Sequence, residues 1–260
     1  MIRNLLIISG AGLVLAIVGI GGSLAMGGAD LARNSWTWVI DDNSRGGFNI
    51  HRTVEAEVQP MATRTLDWAD TQRLTVSLPG KVTYVQTDAA PGITLTGPQD
   101  LIDRITFQNG QLLMTERAAN DTAYVRIGRD GITGWSDSET LRITINANSV
   151  QSFELQGNTD LEVRGYNKPS LELVLTGGSD IEMQGRTQTL KVDASGHSRA
   201  ELDDLLTTDA TITTTGSAGV KTSANGMVVV DGSGDSAVRL TRRPAELRQT
   251  LSGDAEVRQD

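Results

Sequence analysis

Glycine returns at positions 157, 177, 196, 216, 234 and 253, at intervals of 20, 19, 20, 18 and 19 residues, and the residues around each glycine follow one pattern. Four places after it stand Leu161, Ile181, Ala200, Val220, Val238 and Val257; four before it stand Phe153, Leu173, Val192, Ile212, Val230 and Gln249. Two before it come Leu155, Leu175, Ala194, Thr214, Gly232 and Leu251, and directly before it Gln156, Thr176, Ser195, Thr215, Ser233 and Ser252. Apolar and polar residues alternate on both sides of a glycine, which is the period-2 signature of short strands bent at a corner.

One such repeat cannot bury its own apolar face, because two strands of four to six residues need neighbours above and below. Stacking supplies them. With coils ~4.8 Å apart, like positions superpose and the apolar columns join into one inner wall. The chain therefore reads as all-β, a β-solenoid of about 19-residue coils. The glycines themselves are explained by turn geometry, since only glycine adopts positive φ freely.

Composition narrows what such a solenoid can do. Aromatic residues make up only 4% of the 260, which suits thin coils. There is no cysteine, so no disulfide framework, thiolate metal site, cysteine nucleophile or lipid-bearing cysteine is available. A formal net charge of −9, with no basic cluster standing out along the chain, argues against nucleic acid as a partner.

The first thirty residues form a separate element. From Leu5 to Gly28 no residue is charged, and Arg3 precedes the run. Residues 1–30 read as a transmembrane anchor or a signal peptide, with Ser23 and Ala25 at the spacing of a cleavage site. The 24-residue uncharged run matches a bilayer span, so a retained anchor with the membrane as partner through residues 5–28 is the favoured reading. Charge bias keeps Arg3 in the cytoplasm and sends the C-terminal domain into the periplasm or outside a bacterial cell; cleavage would make the protein secreted. Residues 31–64 read as an interfacial segment and linker: Trp36 and Trp38 suit an interfacial belt, or else pack on the folded domain, and 41–64 lack sustained periodicity.

Residues 65–260 form the head domain, regular over 151–260 and less regular over 65–150. Alternating runs at 74–78, 81–87, 93–97, 104–108, 111–115, 123–128 and 141–147 predict strands that make the first, wider coils. Asn109-Gly110 between two of them predicts a hairpin, and Pro98 to Arg104 a single helical turn. Residues 128–140 read as an exposed loop carrying Trp135.

The stretches TLDWADTQRLTVSLPGKVTYVQT, LTGPQDLIDRITFQNGQLLMTE and LRITINANSVQSFELQGNTDLEV, followed by corners such as GGSDIEM and GSGDSAVRL, carry a resemblance over residues 65–260. The chain resembles the bacterial putative auto-transporter adhesins with a head GIN domain, a domain of unknown function. The resemblance implies a right-handed parallel β-helix, exported or membrane-tethered, with adhesion proposed and no catalytic residues to carry over. The glycine-centred segments here read GNTD or GGSD rather than the family's named triplet.

Tests for chemistry return little. Asp160 and Asp180, three places after their glycines, superpose ~5 Å apart in adjacent coils, near the spacing of a retaining glycosidase pair. The same position then holds Arg199, Gly219, Ala237 and Glu256, as a variable solvent-facing corner does. Asp231, Ser233 and Asp235 alternate like calcium ligands, but Ser236 and Arg242 stand where an EF-hand needs glycine and glutamate. His51 and His197 have no partner at metal-ligand or triad spacing. One outer column is ordered: five after each glycine come Glu162, Glu182, Glu201, Lys221, Arg239 and Arg258. It suits a surface for a polar polymer, or a solvated face that resists side-on aggregation. Gln249 and Gln259 fill slots that are apolar earlier and suggest a polar closing coil.

The sequence thus points to a non-enzymatic envelope module, binding or structural and adhesin-like, with a polysaccharide or an envelope protein as ligand. No catalytic, cofactor or metal residue is assigned. A carbohydrate-active enzyme and a self-assembling scaffold are the alternatives.

Overall fold

The computed structural model describes residues 36–43, 47–53, 60–115, 123–128 and 131–260. Two parallel walls meet at the corner glycines. The wall before the glycine stacks Arg73–Ser77, Ser152–Gly157, Ser170–Gly177, the later half of Asp180–Gly196, the later half of Leu205–Gly216, Met227–Gly234 and Glu246–Gly253. The wall after it stacks Gly80–Gln86, Thr159–Asn167, the earlier half of Asp180–Gly196, Arg199–Leu202, Gly219–Thr222, Ala237–Leu240 and Glu256–Gln259. A short third side closes each coil where Gly185, Arg186 and Thr187 lie beside Leu205, Leu206 and Thr207. This is a β-solenoid-like stack, and the columns read from the glycine spacing are its rungs.

The corner explains why glycine recurs. All six corner glycines have φ between 71° and 82°. Four of the glycine carbonyls accept an N–H from the next coil: Gly178 donates to Gly157 at 2.8 Å, His197 to Gly177 at 2.7 Å, Ser217 to Gly196 at 2.8 Å and Asp235 to Gly216 at 2.7 Å. A Cβ built on Gly196 would lie 2.7 Å from the Gly177 oxygen, whereas one on Gly157 meets nothing within 4 Å. Left-handed backbone and stacked neighbours therefore act together from the second corner onward.

Inside the corner the alternation delivers the core. Phe153, Leu173, Val192, Ile212 and Val230 are buried on one wall, and Leu161, Ile181, Ala200, Val220 and Val238 on the other. Two places after the glycine a column of small residues, Thr159, Ser179, Ser198, Ala218 and Ser236, is also buried. Some of its hydroxyls find local acceptors: Thr159 donates to the Leu78 carbonyl at 2.8 Å and Ser179 to that of Thr176 at 3.2 Å. The first coils hold the largest buried side chains, Tyr84, Phe153 and Tyr166, in edge-to-face contacts at 5.1 and 6.2 Å. Tyr84 and Tyr166 satisfy their hydroxyls on the carbonyls of Ala147 and Ser170. In the last coil Gln249 and Gln259 are exposed, as polar residues at inward slots would be.

Between Gln86 and Arg142 the chain leaves the stack and covers its first coil. Arg142–Ala147 returns parallel to Gly80–Gln86, while Gly92–Pro98 and Met61–Leu66 extend that wall antiparallel. On the other wall Gln111–Met114 runs parallel to Arg73–Ser77 and folds back on Ile105–Gln108. The hairpin turn is the expected Asn109-Gly110, at φ 52° and 77°, the double positive φ that a tight two-residue turn requires. The helical turn is present as Gln99–Asp103.

Three readings need correction. The runs at 93–97 and 123–128, expected to make coils of the solenoid, pair antiparallel instead, the second of them in a separate sheet. The stretch read as an aperiodic linker contains the antiparallel strands Trp36–Asn43 and Gly47–Thr53, with His51 opposite Val39. The segment read as a loop holds the strand Gly131–Ser136 and the short helix Asp137–Thr140. Both belong to one four-stranded antiparallel sheet with Ala123–Gly128. Its pairing joins segments more than seventy residues apart, so local periodicity gave little sign of it. The expected span at residues 5–28 lies outside the described residues; among those described, no helix is long and apolar enough to cross a membrane.

The corner geometry predicts unequal costs for one chemical change. Gly157→Ala should cost about 1 kcal/mol, the left-handed backbone alone, and Gly196→Ala roughly 2–4 kcal/mol, because a backbone oxygen must also shift. Urea unfolding of the full chain measures both; equal costs would remove the stacked carbonyl from the explanation.

Candidate functional site

With the inner positions committed to the core, chemistry can only come from outward columns and from the edges between walls. On the wall after the glycine, Glu162, Glu182, Glu201, Lys221, Arg239 and Arg258 are in direct register, one per coil. Like charges ~4.8 Å apart repel, and lateral partners offset this. Lys81 reaches Glu162 at 3.3 Å, and Arg164 also pairs with Glu162. Lys221 bridges Glu201 at 3.7 Å and Asp203 at 2.8 Å, Arg239 pairs with Asp260 at 2.9 Å, and Arg258 with Glu256 at 2.7 Å. The Arg164 hydrogen bond holds Glu162 below the usual carboxylate range, and Lys221 does the same for Asp203. The column is a laced, mostly self-neutralised face.

Asp160 and Asp180 are brought opposite one another, as their spacing predicts. Desolvation pushes the Asp160 carboxyl up, the Asp180 charge adds to this, and Lys81 opposes it. The pair sits on an open corner and lines neither of the two grooves described below. A raised carboxyl beside a second carboxylate is the electronic arrangement of an acid and its partner.

The first groove, about 620 Å³, lies on the wall before the glycine and is lined by Arg73, Gln151, Glu172 and Lys191 among others. Its charges are already engaged: Arg73 contacts Glu172 at 3.4 Å, and Lys191 contacts Glu172 and Asp193, each at 3.0 Å. Lys191 is the main reason the Glu172 carboxyl titrates low.

The second groove, about 510 Å³, follows the third side of the coils and gathers Lys168, Arg186 and Arg242 with Asn167, Leu206 and Asn225. Sequence reasoning missed this cluster. The three cations fall 11, 9 and 8 residues after their glycines, so a column aligned on the glycine does not contain them. The turns between the walls vary in length, and only the fold sums them to one side.

The other candidates stay apart. Asp231 and Ser233 precede the corner at Gly234 and Asp235 follows it, with the Asp235 N–H spent on Gly216. Among the described residues no three His, Asp or Glu side chains are grouped closely enough to hold a metal. His197 is exposed at its corner. Trp135 stacks on Tyr124 with ring centroids 5.4 Å apart, a structural pairing within the four-stranded sheet.

With this geometry in hand, comparison with known proteins is informative about kind rather than chemistry. Residues 71–244 match the family described as "Putative auto-transporter adhesin, head GIN domain". The fold is similar to that of a putative adhesin of Bacteroides fragilis, with a TM-score of 0.60 at 14% identity over 77% of this chain and 97% of that one. A putative adhesin of Parabacteroides distasonis gives a TM-score of 0.45 at 14% identity, covering 78% of this chain and 98% of that one. A putative lipid binding protein of the same species gives 0.44 at 13% identity, with the same coverage. No curated protein matches the chain.

Two outcomes follow from the charges. Because Asp160 titrates high in the folded state, its ionised form opposes folding at neutral pH, so Asp160→Asn should raise stability there by about 0.5 kcal/mol or less. That gain should vanish as the pH falls below the carboxylate range; a loss of stability at neutral pH would contradict it. Glu162, Glu172 and Asp203 titrate low, so their contribution is present above the unfolded values near ~4 and is lost as the pH falls through the lowered ones. A thermal midpoint unchanged between neutral pH and pH ~3 would contradict that coupling.

Proposed function

The chain belongs to the putative auto-transporter adhesin, head GIN domain family, and on that premise we propose that it is a non-enzymatic binding module of the bacterial cell envelope. The observation that carries this reading is the continuity of the outward ladders: charged and polar side chains repeat coil after coil in register, over a buried apolar inner wall. Such a surface presents a series of weak polar contacts along a line, as attachment to an extended ligand requires, rather than one enclosed reaction centre. In the finer form of the proposal the coils wind right-handed, and residues 5–28 hold the head at the membrane with the solenoid in the periplasm or outside. The ligand is an envelope polysaccharide or an envelope protein.

A carbohydrate-active enzyme is the alternative, favoured only by the register of Asp160 with Asp180. The two readings separate in one experiment. Full-length protein in detergent is incubated with an array of envelope glycans and with an outer-envelope protein extract, and the recovered glycans are sized. Retention with glycan length unchanged is expected. Shortened glycans that survive intact in the Asp160→Asn, Asp180→Asn double variant would overturn the non-enzymatic reading, and no retention of any ligand would overturn the binding one.

A further inference from the structure

We propose that the groove along the third side of the solenoid binds a linear anionic polysaccharide, its acid groups met by Lys168, Arg186 and Arg242; this rests on the reading of the chain as a binding module and names its site and ligand class. The first reason is that these cations have been left over. Lys81, Arg164, Lys191, Lys221, Arg239 and Arg258 each lie within 4.0 Å of a carboxylate on the two broad walls. Lys168, Arg186 and Arg242 have no ion pair among the described residues, although the chain carries a net charge of −9. No aspartate or glutamate lines the groove. Of the acids nearest in sequence, Asp209 accepts the Met227 N–H at 2.7 Å and Asp203 pairs with Lys221 at 2.8 Å; exposed Asp204, whose carbonyl accepts the Gly185 N–H, stands at the entry to the third side and is not among the residues lining the groove.

The second reason is direction. Lys168 and Arg186 stand in neighbouring coils, since Asn167 opposes Arg186, and Arg186 opposes Leu206 one coil further on. Asn225 and then Arg242 continue the same side. At ~4.8 Å per coil the cations span about 20 Å along the solenoid axis. A small anion could reach two of them; only a chain with repeated acid groups reaches all three. The third reason is the filling between them. Asn167, Gln188, Thr208 and Asn225 supply amide and hydroxyl groups suited to sugar hydroxyls. Leu206, 51% exposed, offers an apolar surface to the C–H face of a sugar ring. A nucleic acid would want aromatic rings for base stacking, and the groove has none. The cations lie in a groove of about 510 Å³, which suits a strand better than a flat membrane surface.

The test uses full-length protein in detergent and polygalacturonate as probe, with neutral dextran, single-stranded DNA and anionic phospholipid vesicles alongside. Polygalacturonate should bind and neutral dextran should not. Added salt should weaken the binding, and the Lys168→Ala, Arg186→Ala, Arg242→Ala triple variant should weaken it about tenfold. A control variant, Arg104→Ala with Arg248→Ala, outside both the groove and the outward ladder, should leave it unchanged and shows that loss of charge elsewhere is not the cause. Polygalacturonate binding that the triple variant retains, or DNA or vesicles bound as tightly as polygalacturonate, would overturn the proposal. If polygalacturonate fails while another envelope glycan or protein is retained through a different face, the groove assignment falls and the binding-module reading stands; if nothing is retained, both fall.

Discussion

The solenoid depends on one contact: from Gly157 to Gly234 the carbonyl oxygen of each corner glycine occupies the space where the next corner's Cβ would otherwise lie, and at Gly157, Gly177, Gly196 and Gly216 it accepts an N–H from that next coil. That contact sets the height of a rung and its rotation at once. A slip of one residue would turn every inward apolar side chain outward, so the corner holds the register that the core then rewards. The regular columns on both walls follow from it.

The interior adapts to that frame by changing size. Tyr84, Phe153 and Tyr166 fill the first coils, and aliphatic side chains such as Leu173, Ile181, Leu202, Ile212 and Val230, with alanines between them, fill those beyond. The first coil of a stack needs a cover over its strand edges. The antiparallel strands and the hairpin between Gln86 and Arg142 provide it, pairing with both walls at the first coil so that its edges are not left open.

Much of this was legible in the sequence because a solenoid repeats its own evidence. The glycine spacing gave the corners, the columns and their register, and Asn109-Gly110 gave the hairpin, since each feature is local. Two things were not legible. The four-stranded sheet joins Trp36–Asn43 to Ala123–Gly128 across a long interval of chain, and its second half contains Gly131 and Gly134, which read as loop. The cations of the third side fall at different distances from their glycines, so alignment on the glycine hid Lys168, Arg186 and Arg242 from one another. The proposed ligand site lies where the turns between the walls vary in length from coil to coil.

Register set by the corners is the claim on which the ladders, the groove and the proposed ligand all stand. The chain has no cysteine, so paired cysteines can report it without interference. Glu182→Cys with Glu201→Cys places the two at opposed positions in neighbouring coils, within the ~4.4–6.8 Å Cα separation that a disulfide accepts. Glu182→Cys with Asp203→Cys displaces one partner by two residues along the strand. Under mild oxidation the first pair should close and the second stay reduced, read by mass spectrometry of the intact chain; closure of the second pair in preference to the first would contradict the register.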